Sequence, residues 1–514
     1  MIIILILVVL TLRLLYEYHR DRNLPPGPRR LPLLGNLHQA PKALPWRVFH
    51  EWSKTYGPIM SAQFGRQTLI LVTSPTIAHD LLDRRGSIYA NRPDLVMAKN
   101  ITKDLHMLTR QYDSWMKLHQ RLDAPVLSPR ASNTYFPIQD LESKQLLFDL
   151  LSSNNFDAHF ERYSGSLMFA LAYGFRLPVP KSQELRDMRT IQGNFVYAAR
   201  VGTWIVDAIP VLNYLPAVVA PWKRLAEKLF QLESKVHARH LEKGLASTPW
   251  NWTKEFSRSK YAEGMSALEL GYNLGILVDA GFETTWAVMK VFVLAVRAEP
   301  RFVAVARKEI DEVVGGDRLP GVEDADKLGY VQAVVDETLR WRTIIPGGIP
   351  HATTKEDTYM GYRIPKGATV VPVVWAMALG DGRWEDPMAF RPERWLEGDK
   401  ADERFSNFFG YGRRICTGRH IARNSLFLLM ARILWAFDIQ APLGDDGKAI
   451  PVDDMAFGSG FVSSPDPFEA VFVPRSEKAR EVVKRQWLGT EKDLEVLMGG
   501  IRDRQREIGL DVKA

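Results

Sequence analysis

One cysteine, Cys416, stands in the 514 residues, inside Phe405–His420, FSNFFGYGRRICTGRH. Alone it can form no internal disulfide, so it is either an inert buried thiol or a reactive or metal-binding one. Its neighbours favour the second reading. Gly410, Gly412 and Gly418 let the backbone bend and approach a ligand closely. Arg413 and Arg414 precede the sulfur and an apolar-periodic segment follows it. A thiol at a helix start beside guanidinium groups is biased towards thiolate. A second set lies in Met265–Arg297, where Asp279 and Glu283 share one helix face beside Ala280–Gly281 and Thr284–Thr285. Uncompensated carboxylates in a buried helix are costly. The set is therefore either a functional notch or a satisfied polar network that kinks the helix. Glu337 and Arg340, at i, i+3, form a third set, and Arg394 offers the same carboxylate a second guanidinium. A buried Arg–Glu–Arg arrangement is stable only when every member is satisfied. Trp115 and His119 share a face of another helix, with Lys117 and Arg121 nearby.

These residues need elements to position them. Met265–Arg297 runs without proline until Pro300 and is apolar on most faces, which predicts a buried helix. It is no membrane span, because the two acids leave neither flank with about 18 apolar residues. Val331–Arg342 is a further helix, followed by an extended turn forced by Pro346–Gly348 and Pro350. Thr68–Thr73, Tyr362–Gly367 and Thr369–Val374 read as strands, and Ile77–Arg84 as helix. Asp94–Arg110 has no period and reads as a long loop. Most of Ala131–Lys260 reads as amphipathic helices broken at prolines such as Pro210 and Pro216. Trp384–Trp395 (WEDPMAFRPERW) should meander, and the charged stretch beyond Val483 reads as a solvated helix or a disordered extension.

Hydrophobic content of 46% and 14 tryptophans supply a large core and exclude wholesale disorder. One cysteine argues against a disulfide-built secreted protein. The net charge of +7 is spread along the chain, with no arginine-rich arm or zinc spacing, so nucleic acid is not an expected partner. Met1–Leu12 is almost purely apolar, and Leu14–Tyr16 continue it past Arg13. As a helix, residues 1–16 span about 24 Å against a hydrocarbon core of about 30 Å. They read as a short signal-anchor whose Arg13 snorkels to the interface. A buried core helix, or a sequence lacking upstream residues, is the alternative. Residues 17–36 form a charged, proline-rich hinge, 37–483 the body and 484–514 a charged extension.

Taken together, the motifs resemble those of the haem-thiolate cytochromes P450. Phe409, Gly412, Arg414, Cys416 and Gly418 meet the family's cysteine loop in full. Ala280–Thr285 (AGFETT) resembles its oxygen-activating notch, Glu337-Thr-Leu-Arg340 its Glu-x-x-Arg helix, and Pro392–Trp395 (PERW) its downstream arginine motif. Pro25–Pro28 resembles the hinge after the anchor of microsomal members. Trp204–Pro216 and Ile349–Thr354 look like filamentous-fungal members of secondary metabolism.

The resemblance implies a mainly α fold with a smaller β-rich part, a triangular helical body whose long central helix crosses haem b. It implies Cys416 as the axial iron ligand. Arg414, Trp115, His119 and His351 would lie at the haem propionates, although His119 stands where the family carries arginine. Phe409, Gly412, Gly418, Ala280 and Gly281 would line the cofactor, Gly281 by letting it approach the helix. Glu283 and Thr284 would relay protons. Glu337, Arg340 and Arg394 would form a structural triad fixing the cysteine loop. The implied activity is monooxygenation of a hydrophobic small molecule with dioxygen. Electrons would come from NADPH through a flavoprotein reductase, with cytochrome b5 as a second donor. The basic residues Arg413, Arg419, His420 and Arg423 would offer the reductase a docking surface. The expected location is the endoplasmic reticulum membrane, body on the cytosolic face, so the sequons at Asn100 and Asn251 should stay bare. The competing function is a reductase-independent haem-thiolate isomerase or dehydratase acting on a peroxide. A non-enzymatic haem sensor is a third.

Overall fold

In the computed structural model, residues 22–32, 34–65, 67–200, 203–380, 382–397 and 408–513 are described. The anchor predicted at 1–16 and part of the hinge lie outside them. Among the described residues no helix is long and apolar enough to cross a membrane.

The helices that place the site are α1 (Val96–Thr102), α2 (Ser114–Leu127), α3 (Phe136–Leu150), α4 (Phe156–Tyr173), α5 (Gln183–Ala199), α6 (Pro221–Ala246), α7 (Ala267–Ala298), α8 (Gly329–Trp341) and α9 (Arg419–Ala436). The 32 residues of α7 extend about 48 Å. It starts where Ser266 accepts the Glu269 amide at 3.1 Å and ends just before Pro300, which cannot continue it. Its surface is apolar almost all round because α4, α6, α8 and α9 pack on it. The main core joins these helices to α3 through residues such as Phe160, Leu171, Phe292, Val335 and Leu429.

The β-rich part is small. Strands β1 (Ile59–Phe64), β2 (Gln67–Val72), β3 (His351–Ala352) and β6 (Thr369–Pro372) form one sheet in the order β1-β2-β6-β3. In it β2 and β6 run parallel and the outer pairs antiparallel. The pairs β4 (Asp357–Tyr359) with β5 (Tyr362–Ile364), and β7 (Phe437–Gln440) with β8 (Val471–Pro474), are separate ladders. The short β3 holds His351 buried in the sheet.

Three expectations are corrected. Asp94–Arg110 is not wholly a loop, because it contains α1, whose Val96, Met97 and Ile101 are buried. Among the helices of Ala131–Lys260, α4 is not amphipathic; nearly every residue of it is buried, because neighbours cover all its faces. The stretch beyond Val483 is not disordered, and its helices are solvated on one face only. It forms the end of α10 (Glu477–Leu488) and all of α11 (Leu494–Glu507), with Met498 and Ile501 buried. Gln505 Nε2 donates to Thr134 Oγ1 at 2.9 Å, and Trp487 lies against Phe148. Apolar residues one turn apart inside a charged helix are enough to dock it.

Candidate functional site

The cysteine loop is tightly constructed. The Cys416 amide donates to the Phe409 carbonyl at 2.8 Å, closing the turn, and Phe409 packs on the main core. Gly412 has φ +51, and a Cβ there would collide with the Leu82 carbonyl oxygen, so only glycine fits. Gly418 differs: its φ is −83 and a Cβ would meet nothing within 4 Å. The backbone does not require a glycine there. Cys416 has exposed surface while its sulfur is ringed by protein, the geometry of a group on the wall of a concave space. Burial pushes the thiol above its ordinary value, against the amides of Gly418 and Arg419 and the Arg419 charge. The thiolate bias expected from Arg413 and Arg414 is therefore not met by the protein alone. Arg414 is turned elsewhere.

Its guanidinium donates to three carbonyls, Ala90 at 2.8 Å, Met107 at 3.1 Å and Arg110 at 2.6 Å. Burial pushes Arg414 down to about 10. Arg92 is buried close to it; burial and then the Arg414 charge lower its pKa well below the ordinary range. Arg92 donates to the Ile349 and Pro350 carbonyls, but its Nε is buried without a partner. His351 Nδ1 donates to the Tyr89 carbonyl at 2.8 Å, and burial, then Arg92, hold this imidazole well below its ordinary value. Among the described residues no carboxylate hydrogen-bonds either guanidinium. A buried guanidinium with an orphaned N–H and a half-buried one, beside an imidazole, form a cradle for an anion. Arg92 is the member that sequence reading missed. No local pattern marks it, because its neighbours come from far along the chain.

Trp115 and His119 do stack, with ring centroids 3.6 Å apart, and the Arg110 guanidinium lies 4.4 Å over Trp115. His119 is nevertheless occupied on both sides. Nδ1 lies 2.8 Å from Asn273 Oδ1 and Nε2 2.9 Å from Glu269 Oε1. Asn273 in turn donates to Asp123 at 2.7 Å. The histidine thus ties α2 to the start of α7, in place of the propionate contact expected of it.

On α7 the notch is present. Ala280 is exposed although the helix is buried on most faces, and Thr284 is half-buried one turn on. The Thr284 hydroxyl donates to the Ala280 carbonyl at 2.8 Å. Gly281 faces the other way: a Cβ there would collide with Met168 Sδ, so this glycine serves the close packing of α7 on α4, not the approach of a cofactor. Glu283 accepts a hydrogen bond from Gln192 of α5, and burial pushes it up to about 7. Asp279, one turn earlier, is raised well above the ordinary carboxylate range by burial, then by Glu283. Its Oδ1 is buried and has no partner.

The Glu337 set is complete. Arg340 makes two bonds to the carboxylate at 2.8 Å, Arg394 one at 3.0 Å, Trp395 Nε1 one at 2.9 Å, and the Arg391 amide one at 2.8 Å. The remaining guanidinium donors hold carbonyls of Ala378, Glu385, Asp386, Pro387 and Ala389. The set therefore fixes the meander directly. It reaches the cysteine loop through Trp395, whose ring lies 6.3 Å from that of Phe408.

The family model described as Cytochrome P450 matches residues 25–472. The chain belongs to the cytochrome P450 family. It is 42% identical over 487 residues to the cytochrome P450 monooxygenase aneD of Aspergillus aculeatus, with 94% of each chain covered. It is 38% identical over 485 residues to the cytochrome P450 monooxygenase drtD of Aspergillus calidoustus, covering 94% of this chain and 92% of that one. The cytochrome P450 monooxygenase FrzL of Cladobotryum is 38% identical over 496 residues, 95% of each. Haem, the group cytochromes P450 carry, requires a thiolate for its iron and donors for its propionates. Cys416 with its two amide donors, and the Arg92–His351–Arg414 cradle with its orphaned N–H, fit both requirements.

Proposed function

We propose that this cytochrome P450 monooxygenase inserts one atom of dioxygen into a hydrophobic small molecule of fungal secondary metabolism. The observation that carries the reading is Cys416, an accessible thiol in a loop closed by the Phe409 carbonyl, within a chain matched by the family from 25 to 472. Cys416 would hold haem iron, and Arg92, His351 and Arg414 its propionates. The bound haem supplies oxygen activation.

The chain's own residues then deliver protons and exclude water. Glu283, with a pKa of about 7, carries a proton near neutrality and can pass it on. Thr284 holds its hydroxyl proton on the Ala280 carbonyl and is the next oxygen along that edge of α7. Burial, then the Glu283 charge, favours the neutral form of Asp279, which keeps a second charge away from Glu283. A relay of this kind has no use in the peroxide isomerase or dehydratase, so the monooxygenase is the better reading.

Electrons would come from NADPH through a flavoprotein reductase, with cytochrome b5 as a second donor. Arg413, exposed, and Arg419 remain candidates for its docking face. Arg423 does not, because it is paired with the buried Asp336 of α8. Attachment to the endoplasmic reticulum membrane through residues 1–16, body in the cytosol, completes the reading. Of the two sequons only Asn100 can report on it. Asn251 is buried and caps a helix by accepting the Lys254 amide at 3.0 Å.

Replacing Cys416 by Ser tests the central assignment. The reduced carbon monoxide complex should lose its red-shifted absorption while far-ultraviolet circular dichroism stays unchanged. A surviving red-shifted band refutes the ligand.

A further inference from the structure

Where α6 crosses α7 a group of buried polar side chains gathers, of which only Asp279 has been given a purpose above. Glu233 and His237 come from α6, Tyr272 and Asp279 from α7. All but Asp279 are nearly inaccessible to solvent, and the Asp279 Oδ1 atom is itself buried. His237 Nε2 lies 3.4 Å from Glu233 Oε1, while its Nδ1 has no partner. The Tyr272 hydroxyl is buried beside Glu233 and Ser234, and its ring stands edge-on to the imidazole at 4.7 Å. A core that wanted only packing would carry apolar side chains here, since each unmade bond costs free energy.

The stripe on α7 gives the group a direction. Tyr272, Gly275, Asp279 and Glu283 follow one another at three- and four-residue steps, so they share a face. Gly275 is the seat of the imidazole. A Cβ there would collide with Cε1 and Nδ1 of His237, so the ring lies directly on the helix backbone. Asp279 is one turn further on, about 6 Å away, and side chains on a helix lean back towards its N-terminus. Asp279 Oδ1 and His237 Nδ1, both buried and without a partner, thus lie along one face of α7 about a turn apart, and unpaired buried polar atoms of this kind are the ones that water bridges. The next turn brings Glu283. At the other end Glu233 adjoins Ser234, which is half-exposed, on a helix whose Leu232 and Lys235 are exposed.

We propose that Glu233, His237 and Asp279 form a proton-conducting row that carries protons from the surface of α6 to Glu283. The row deepens the proposed function and rests on its Glu283–Thr284 relay. In each passage Glu283 gives up its proton and takes one from Asp279. Asp279 takes one from Nδ1 of His237, and His237 receives one at Nε2 from Glu233. Glu233 recovers its proton from bulk water. Every group regains a proton, a turn of the imidazole ring restores its starting tautomer, and no electron moves, so the row needs no further reactant. The other titratable side chains around it are His106, from the segment before α2, and Tyr173 and His240 from α4 and α6. His106 is stacked on Phe195 and accepts the Leu108 amide, and Tyr173 and His240 pack ring on ring. They are neighbours of the row and not links in it.

The holoenzyme with its reductase tests the row through two variants, His237→Phe and Glu233→Gln. Infrared spectra in deuterated water follow exchange at the protonated Glu283 carboxyl, whose band is assigned by its loss in Glu283→Gln. Both variants should slow that exchange about a hundredfold, the low side of what a positioned proton donor contributes. The solvent isotope effect on product formation should rise with it, and the reduced carbon monoxide spectrum should not change. A purely structural role would disturb the spectrum and leave the isotope effect alone. If His237→Phe does not load haem, Glu233→Gln decides by the same readings. Parental exchange and isotope effect in the loaded variants overturn the row, while the relay stands if Glu283→Gln still releases peroxide in place of product. Full coupling in Glu283→Gln refutes the relay, and the row with it.

Discussion

Glu337 on α8 and the Asp279–Glu283 pair on the neighbouring α7 are carboxylates taken out of bulk water in opposite ways. Glu337 receives five hydrogen bonds from four residues, and the guanidiniums around it have further carbonyls to hold. Glu283 accepts from the neutral Gln192, and Asp279 keeps an orphaned oxygen. The first arrangement leaves nothing to do but hold shape. The second leaves Glu283 titrating near neutrality, able to exchange a proton. Burial by itself does not separate structure from chemistry; the number of satisfied lone pairs does.

That contrast can be broken or sharpened by substitution. Glu337→Gln leaves two buried guanidiniums short of their counter-charge, and should cost about 3–5 kcal/mol. Urea unfolding checks it, and a fully stable variant would erase the distinction. Glu283→Gln should act in the other direction, with a dependence on pH. The folded value of about 7 lies above the ordinary 4.5, so the native state binds the proton more tightly than the unfolded chain. The cost of Glu283 is therefore absent below about pH 4.5, grows as pH rises, and is complete above about 7. The variant should gain about 3 kcal/mol over the parent at pH 8 and about nothing at pH 4, by the same unfolding measurement. A gain independent of pH would remove the titration from the account. Thr284→Ala should be the mildest for stability, within about 0.5 kcal/mol, because its hydroxyl only back-bonds to Ala280. Peroxide released per NADPH consumed should nevertheless rise severalfold, and fully coupled turnover would end the assignment of Thr284.

The parts of this arrangement that could be read in advance share a physical property. Cys416, Glu337–Arg340 and Asp279–Glu283 each sit on one element, so spacing alone puts them on a face or in a turn. The extent of α7 followed from its apolar run and Pro300, and the strands β2 and β6 from their branched residues. What was hidden depends on distant segments meeting. Arg92 becomes part of an anion cradle only because Arg414 of the cysteine loop and His351 of β3 are brought beside it. His119 finds Asn273 and Glu269 across the first turns of α7, and Gly281 finds Met168. In each case a residue of the right type was visible and its neighbour was not. The docking of α11 escaped for another reason: two buried apolar residues carry it, and charge dominates the local composition.

The grip of Arg414 on Ala90, Met107 and Arg110 spans sequence separations of 324, 307 and 304 residues. Closing loops of that length costs chain entropy before any contact rewards it, so both ends must first be placed by other structure. The cradle should therefore assemble late in folding, after the helices between its members have packed. A local fault anywhere between Ala90 and Cys416 is then felt at the site, as a delay in acquiring it.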